Sequence, residues 1–124
     1  MTQPGGDVSK RAVNLDELLA RVDNDRQLLS ELVDIFREEF PRLLQSLQQF
    51  VAREDMKNVE TASHALKGML SGLSAMKAAE TASRLEQMAR AGEGSGLTDL
   101  LTLLQLQVAD LLPELDTYTA EATP

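Results

Sequence analysis

Cysteine and tryptophan are absent from the 124 residues, and aromatic side chains make up only 3% of them. The missing thiols exclude disulfide frameworks, thiolate nucleophiles and Cys-based zinc or iron–sulfur sites, so the fold must rest on packing. The scarcity of aromatics removes base-stacking platforms. Positive charge is also short: 12 Lys and Arg face 20 Asp and Glu, a formal charge of −8. A nucleic-acid binder with that balance would work against its own field at every phosphate, so no nucleic-acid partner is expected. No apolar run approaches the roughly 18 residues that a membrane span needs. Met1 to Val13 is polar, with two Gly and a Pro, and lacks the apolar stretch of a signal peptide. The chain therefore reads as soluble and cytoplasmic, with no membrane insertion. Such a start fits a free-standing protein and the linker end of a domain cut from a longer one equally well.

What is present is a 43% hydrophobic chain of a length that suits one domain and is too short for a kinase or an ATP-driven two-domain machine. Residues 1–13 carry no apolar period and read as a flexible lead-in. Asn14 can cap a helix, with Glu17 three positions on in the capping-box place and Leu18, Leu19 and Val22 after it. Asp23 and Asn24 close that short helix. From Asp25 the apolar positions Leu29, Leu32, Phe36, Phe40, Leu43, Leu47 and Phe50 recur at spacings of three and four, which predicts a long amphipathic helix to about Arg53 with a kink near Pro41. Asp55 caps a third helix with the face Val59, Ala62, Leu66, Met69, Leu70 and Leu73. A fourth, Ala-rich helix spans about Ala75 to Ala91 and ends at Gly92, Gly94 and Gly96. Leu97, Leu101, Leu104, Val108, Leu111, Leu115 and Tyr118 hold a heptad through a fifth helix, with Pro113 off that stripe. Without any period-2 stretch, the expectation is an all-α, antiparallel up-down four-helix bundle with a short additional N-terminal helix, spanning residues 14–119 and followed by a disordered tail over 120–124.

His64 is the single histidine. At about 100° per residue it lies roughly 160–200° from the Ala62, Leu66 and Leu73 stripe of the third helix, so it faces away from the core. Gly68 stands one turn beyond it, where a glycine costs on the order of 1 kcal/mol relative to Ala and leaves room beside the imidazole. Lys67 brings an ammonium to the same space, which suits an incoming dianion. Thr61, Ala65, Gly68 and Gly72 form a lane of small residues alongside. That lane is either a close helix crossing inside the bundle or a landing strip beside the histidine. Glu60, one turn before His64, reads as a solvated neighbour. A Glu60–His64 metal site lacks the further ligands that zinc or di-iron chemistry requires, so no metal site is expected on this chain.

The string His64-Ala65-Leu66-Lys67-Gly68, with Leu73 after it and Arg84-Leu85-Glu86 on the next helix, resembles the histidine-containing phosphotransfer (HPt) domain of bacterial multistep phosphorelays. The order of elements is similar too: a short first helix, a long second one with Phe36 five residues before Pro41, the histidine helix, then two more. The chain departs from the common family pattern at Ser74, where a glycine is usual, and at Met69 and Leu70, where a small polar residue is usual. The resemblance implies that Nε2 of His64 accepts a phosphoryl group from a receiver-domain phospho-aspartate and passes it to the aspartate of another receiver. It further implies that Lys67 neutralises the phosphoryl oxygens and Gly68 gives clearance. Thr61, Ala65, Ser71 and Gly72 are candidate contacts with response-regulator receiver domains or a hybrid histidine kinase. Neutral imidazole is nucleophilic near pH 7 without a strong base. No Walker-type or glycine-rich nucleotide loop is present, which marks a carrier that is not itself an enzyme and takes no cofactor of its own, with Mg²⁺ expected on the receiver. A monomer is expected. The dimerising histidine helix of a sensor kinase fits less well, because Ala65 and Lys67-Gly68 stand where that helix has an acidic residue and a Pro. The remaining alternative is a helical adaptor without phosphotransfer, docking a partner through the Leu97–Tyr118 stripe.

Overall fold

The computed structural model describes residues 12–122, with side chains through residue 119, and among these residues it is entirely helical. Five helices follow in order: α1 (Leu15–Arg21), α2 (Arg26–Ala52), α3 (Met56–Gly72), α4 (Met76–Arg90) and α5 (Leu97–Ala122). Three N-termini are capped as their sequences dictate: Asn14, Asp25 and Asp55 each accept the backbone N–H three residues on. Only half of the capping box at α1 forms. The Asn14 N–H goes instead to the Ser74 carbonyl at 3.2 Å, and Glu17 accepts the Ser74 hydroxyl at 3.2 Å, so α1 is strapped to the turn between α3 and α4. Ser74 sits at φ +57°, a left-handed conformation that glycine adopts more readily, and is itself buried.

The helices from α2 to α5 close a ring in which α2 packs on α3, α3 on α4, α4 on α5 and α5 back on α2. Short connections between successive helices make neighbours antiparallel. The most extensive contact is α3 with α4; α4 buries Ala78, Ala79, Ala82 and Ala89, small residues that let its neighbours approach closely. The whole α5 heptad, from Leu97 to Tyr118, is buried. That stripe belongs to the core, which leaves the adaptor reading without its docking face. Phe36 and Phe40 pack edge-on at 4.3 Å between ring centroids in the same core.

Three sequence expectations need correction. Val13, placed in the flexible lead-in, is 1% exposed, and the backbone N–H groups of Ala12 and Val13 both donate to Glu114 of α5. The lead-in over residues 1–11 lies outside the described residues. The tail expected from residue 120 begins too early, since α5 remains helical through Ala122. Along α2 the buried stripe includes Val33 and Val51, while Leu32, Leu43 and Phe50 only border the core. Helix α2 runs as a single helix through Pro41, which faces solvent, where the missing N–H interrupts the ladder on the wet side.

Candidate functional site

The site rests on the seam between α3 and α4. Helix α3 buries Val59, Ala62, Ser63, Leu66 and Leu70, which turns His64 outward at the edge of that face. Its side chain is 67% exposed. On α4 the alanines at 78 and 82 set a lane along which Glu86 falls one turn further, so a carboxylate lies embedded in the small-residue seam with 6% of its side chain exposed.

A buried carboxylate must be met by donors, and three side chains meet it. His64 Nδ1 lies 2.8 Å from Glu86 Oε2, Lys67 Nζ donates to Oε1 at 2.6 Å, and Arg90 Nη2 donates to Oε2 at 3.1 Å. Arg90 Nε in turn donates to Glu60 Oε2 at 2.9 Å. The Lys67 hydrogen bond pulls the Glu86 carboxyl below the ordinary glutamate value of 4.5, against the opposing effect of burial, and His64 adds to the pull. Arg90 is shifted the other way, its guanidinium held charged chiefly by Glu60.

An ionised carboxylate only accepts, so the imidazole must donate through Nδ1–H, and the lone pair of the neutral ring then resides on Nε2. Among the described residues no hydrogen bond reaches Nε2. The ring is thus fixed by one nitrogen and open at the other.

The small-residue lane resolves in favour of an open surface. Thr61, Ala65, Gly68 and Gly72 are all exposed, and a Cβ added at Gly68 or Gly72 would meet nothing within 4 Å. No helix of the bundle crosses there. Ser71 is half-buried beside the lane, and the Thr61 hydroxyl bonds the Lys57 carbonyl at 3.1 Å. Lys67 stands next to His64 as expected, but its ammonium is held by Glu86. Glu60, expected to be a solvated neighbour, is the outer anchor of Arg90. Glu86 and Arg90 were not singled out for this role. The available signal was a lone acid on the buried Ala78–Ala82 face of α4, with an Arg four residues on.

This constellation is that of a small bundle presenting one anchored histidine to solvent, with no nucleotide loop in its sequence. A family model for the Hpt domain matches residues 31–117. The chain belongs to the Hpt domain family, and membership makes it a phosphohistidine carrier of two-component phosphorelays, in contact with receiver domains and kinases as a class. No curated protein and no solved structure matches the chain at a significant level. Among the described residues no helix is long and apolar enough to cross a membrane.

Proposed function

We propose that His64 is the phosphoryl acceptor, taking the group on Nε2 from a receiver's aspartyl phosphate and delivering it to the aspartate of a second receiver. The observation that carries this reading is the pairing of an Nδ1 held at 2.8 Å by Glu86 with an unbonded Nε2 on a ring two-thirds in water. The Nε2 lone pair attacks phosphorus and the N–P bond forms. The acyl-phosphate P–O bond breaks, and its electron pair returns to the aspartate carboxylate. The Nδ1–H proton stays on its nitrogen throughout, donating to Glu86, so the positive charge that develops on the ring faces a carboxylate at once.

Lys67 is positioned to swing from Glu86 toward the phosphoryl oxygens, and Gly68 removes the side chain that a closing partner would strike. Thr61, Ala65, Ser71 and Gly72 provide the surrounding contact surface for the receiver. Transfer of this kind depends on in-line placement and charge neutralisation. This chain supplies the nucleophile and a cation, and Mg²⁺ belongs to the receiver. We take the carrier to act as a monomer, because one outward histidine needs no partner subunit to complete it.

Incubation with a phosphorylated receiver domain tests the proposal. Acid-labile label is expected on the wild type and none on His64→Gln, which keeps the helix and removes the nucleophile. Label persisting in that variant would assign the chemistry elsewhere. Lys67→Ala is expected to slow transfer while leaving helical content unchanged.

A further inference from the structure

A cavity of about 260 Å³ opens between the first turn of α4 and the middle of α5. Lys77, in its wall, stands nine residues before Glu86, which at about 100° per residue is half-way round α4. It therefore faces α5 while Glu86 faces α3, and the cavity shares no residue with the His64 site. Ala78 and Leu111, both buried, form its apolar walls. Ala12 closes one end, held there because Glu114 accepts its backbone N–H at 2.8 Å and that of Val13 at 3.3 Å.

The polar groups lining this space are left unmatched by the fold. Among the described residues the Lys77 ammonium and the Asp110 carboxylate make no ion pair or hydrogen bond, with each other or with any other side chain. Gln107, also in the lining, has a buried Oε1 with no hydrogen-bond partner among the described residues. A buried amide oxygen is costly to leave unmet, and the broad terminal torsion of glutamine lets the group turn toward an arriving donor. Glu114 differs, because its carboxylate is already engaged by the two backbone N–H groups and by the Tyr118 hydroxyl at 2.7 Å. A singly charged guest would answer Lys77 or Asp110 and leave the other without a partner, whereas a zwitterion answers both. The volume lies below the roughly 300–1,000 Å³ of sites for drug-sized ligands, which excludes a nucleotide and favours a guest of few atoms.

We infer that this cavity binds a small free amino acid, with its carboxylate on Lys77, its ammonium between Asp110 and the Gln107 carbonyl, and its side chain against Ala78 and Leu111. The site is independent of the phosphocarrier reading, since none of these groups touches His64, Lys67 or Glu86. Because Ala12 and Glu114 belong to the lining, an occupant also packs on the strap that ties Ala12 and Val13 to α5, and it stabilises the fold by mass action.

The test titrates the ¹⁵N-labelled full chain with L-valine and with the two molecules that each lack one of its charges, isovalerate and isobutylamine. L-Valine is expected to shift the amide signals of Ala12, Lys77, Ala78, Asp110 and Leu111 and to leave those of His64 and Lys67 in place, with a Kd of about 1 mM for a ligand this small. Isovalerate and isobutylamine are each expected to bind about tenfold more weakly, having lost one charge-assisted hydrogen bond. Lys77→Met should bring valine down to the affinity of isobutylamine, and Asp110→Asn should bring it down to that of isovalerate. Both positions are exposed, so the variants keep the fold, which circular dichroism checks. Absence of a saturable shift with valine, shifts that map outside the cavity, analogues that bind as tightly as valine, or folded variants that bind it like the wild type would each overturn the inference.

Discussion

Glu86 is the position at which the site can be perturbed without touching the nucleophile. Its carboxylate fixes which ring nitrogen of His64 carries the proton, so Glu86→Ala should release the neutral ring to exchange between its two tautomers, whereas Glu86→Gln retains a neutral acceptor for Nδ1–H. A hydrogen bond to a charged group is worth about 1.5–3 kcal/mol. His64 is 67% exposed, so water competes for the same proton, and we discount the bias to about 1 kcal/mol, or about fivefold in the tautomer ratio. The assay is the pair of ring ¹⁵N shifts of His64, measured with the rate of phosphoryl transfer from a phosphorylated receiver. In Glu86→Ala the Nδ1–H population and the transfer rate should fall together by about that factor, with Glu86→Gln between it and the wild type. If the ring shifts and the rate stay at wild-type values in Glu86→Ala while the fold is intact, Glu86 serves only to pin α3 to α4 and the tautomer argument fails.

The same carboxylate gives a pH signature: its folded-state value lies below the ordinary 4.5, so it stabilises the fold above that value and the contribution is lost as pH falls through the depressed one. Acid unfolding monitored by circular dichroism should accordingly be less steep below about pH 4.5 in Glu86→Gln. Gly68→Ala should raise the melting temperature, because alanine gains about 0.8–1 kcal/mol in a helix interior and its Cβ meets nothing here, yet it should slow transfer from a receiver. Among the described residues the buried Ser63 hydroxyl oxygen has no hydrogen-bond partner, so Ser63→Ala should be neutral or stabilising by about 1 kcal/mol in urea denaturation. Ser74→Val should destabilise by about 2 kcal/mol or more, since a β-branched residue must then hold the left-handed conformation and the bond to Glu17 is lost.

How much of this could be read in advance follows from which forces are periodic. The helices and the outward direction of His64 were legible, because three- and four-residue apolar spacing reports on burial directly: every member of the Leu97–Tyr118 heptad is in the core. The strap at the N-terminus was not. Val13 is held by a hydrogen bond to Glu114, about a hundred residues away in sequence, and no local pattern announces such a contact. Glu86 was hidden for a related reason. Its partners lie on a different helix, and an acid in an alanine-rich stretch reads as solvated until α3 is laid against α4. The small-residue lane had two readings on the wheel, and only the position of the neighbouring helices could decide between them.

A ring tethered by one nitrogen has a single doorway. On the proposed mechanism, giver and receiver of the phosphoryl group must come to the same Nε2 through the same opening beside Gly68, so they visit in turn and never together. Such a carrier has no built-in sense of direction: traffic through it runs whichever way the populations and labilities of its two visitors dictate.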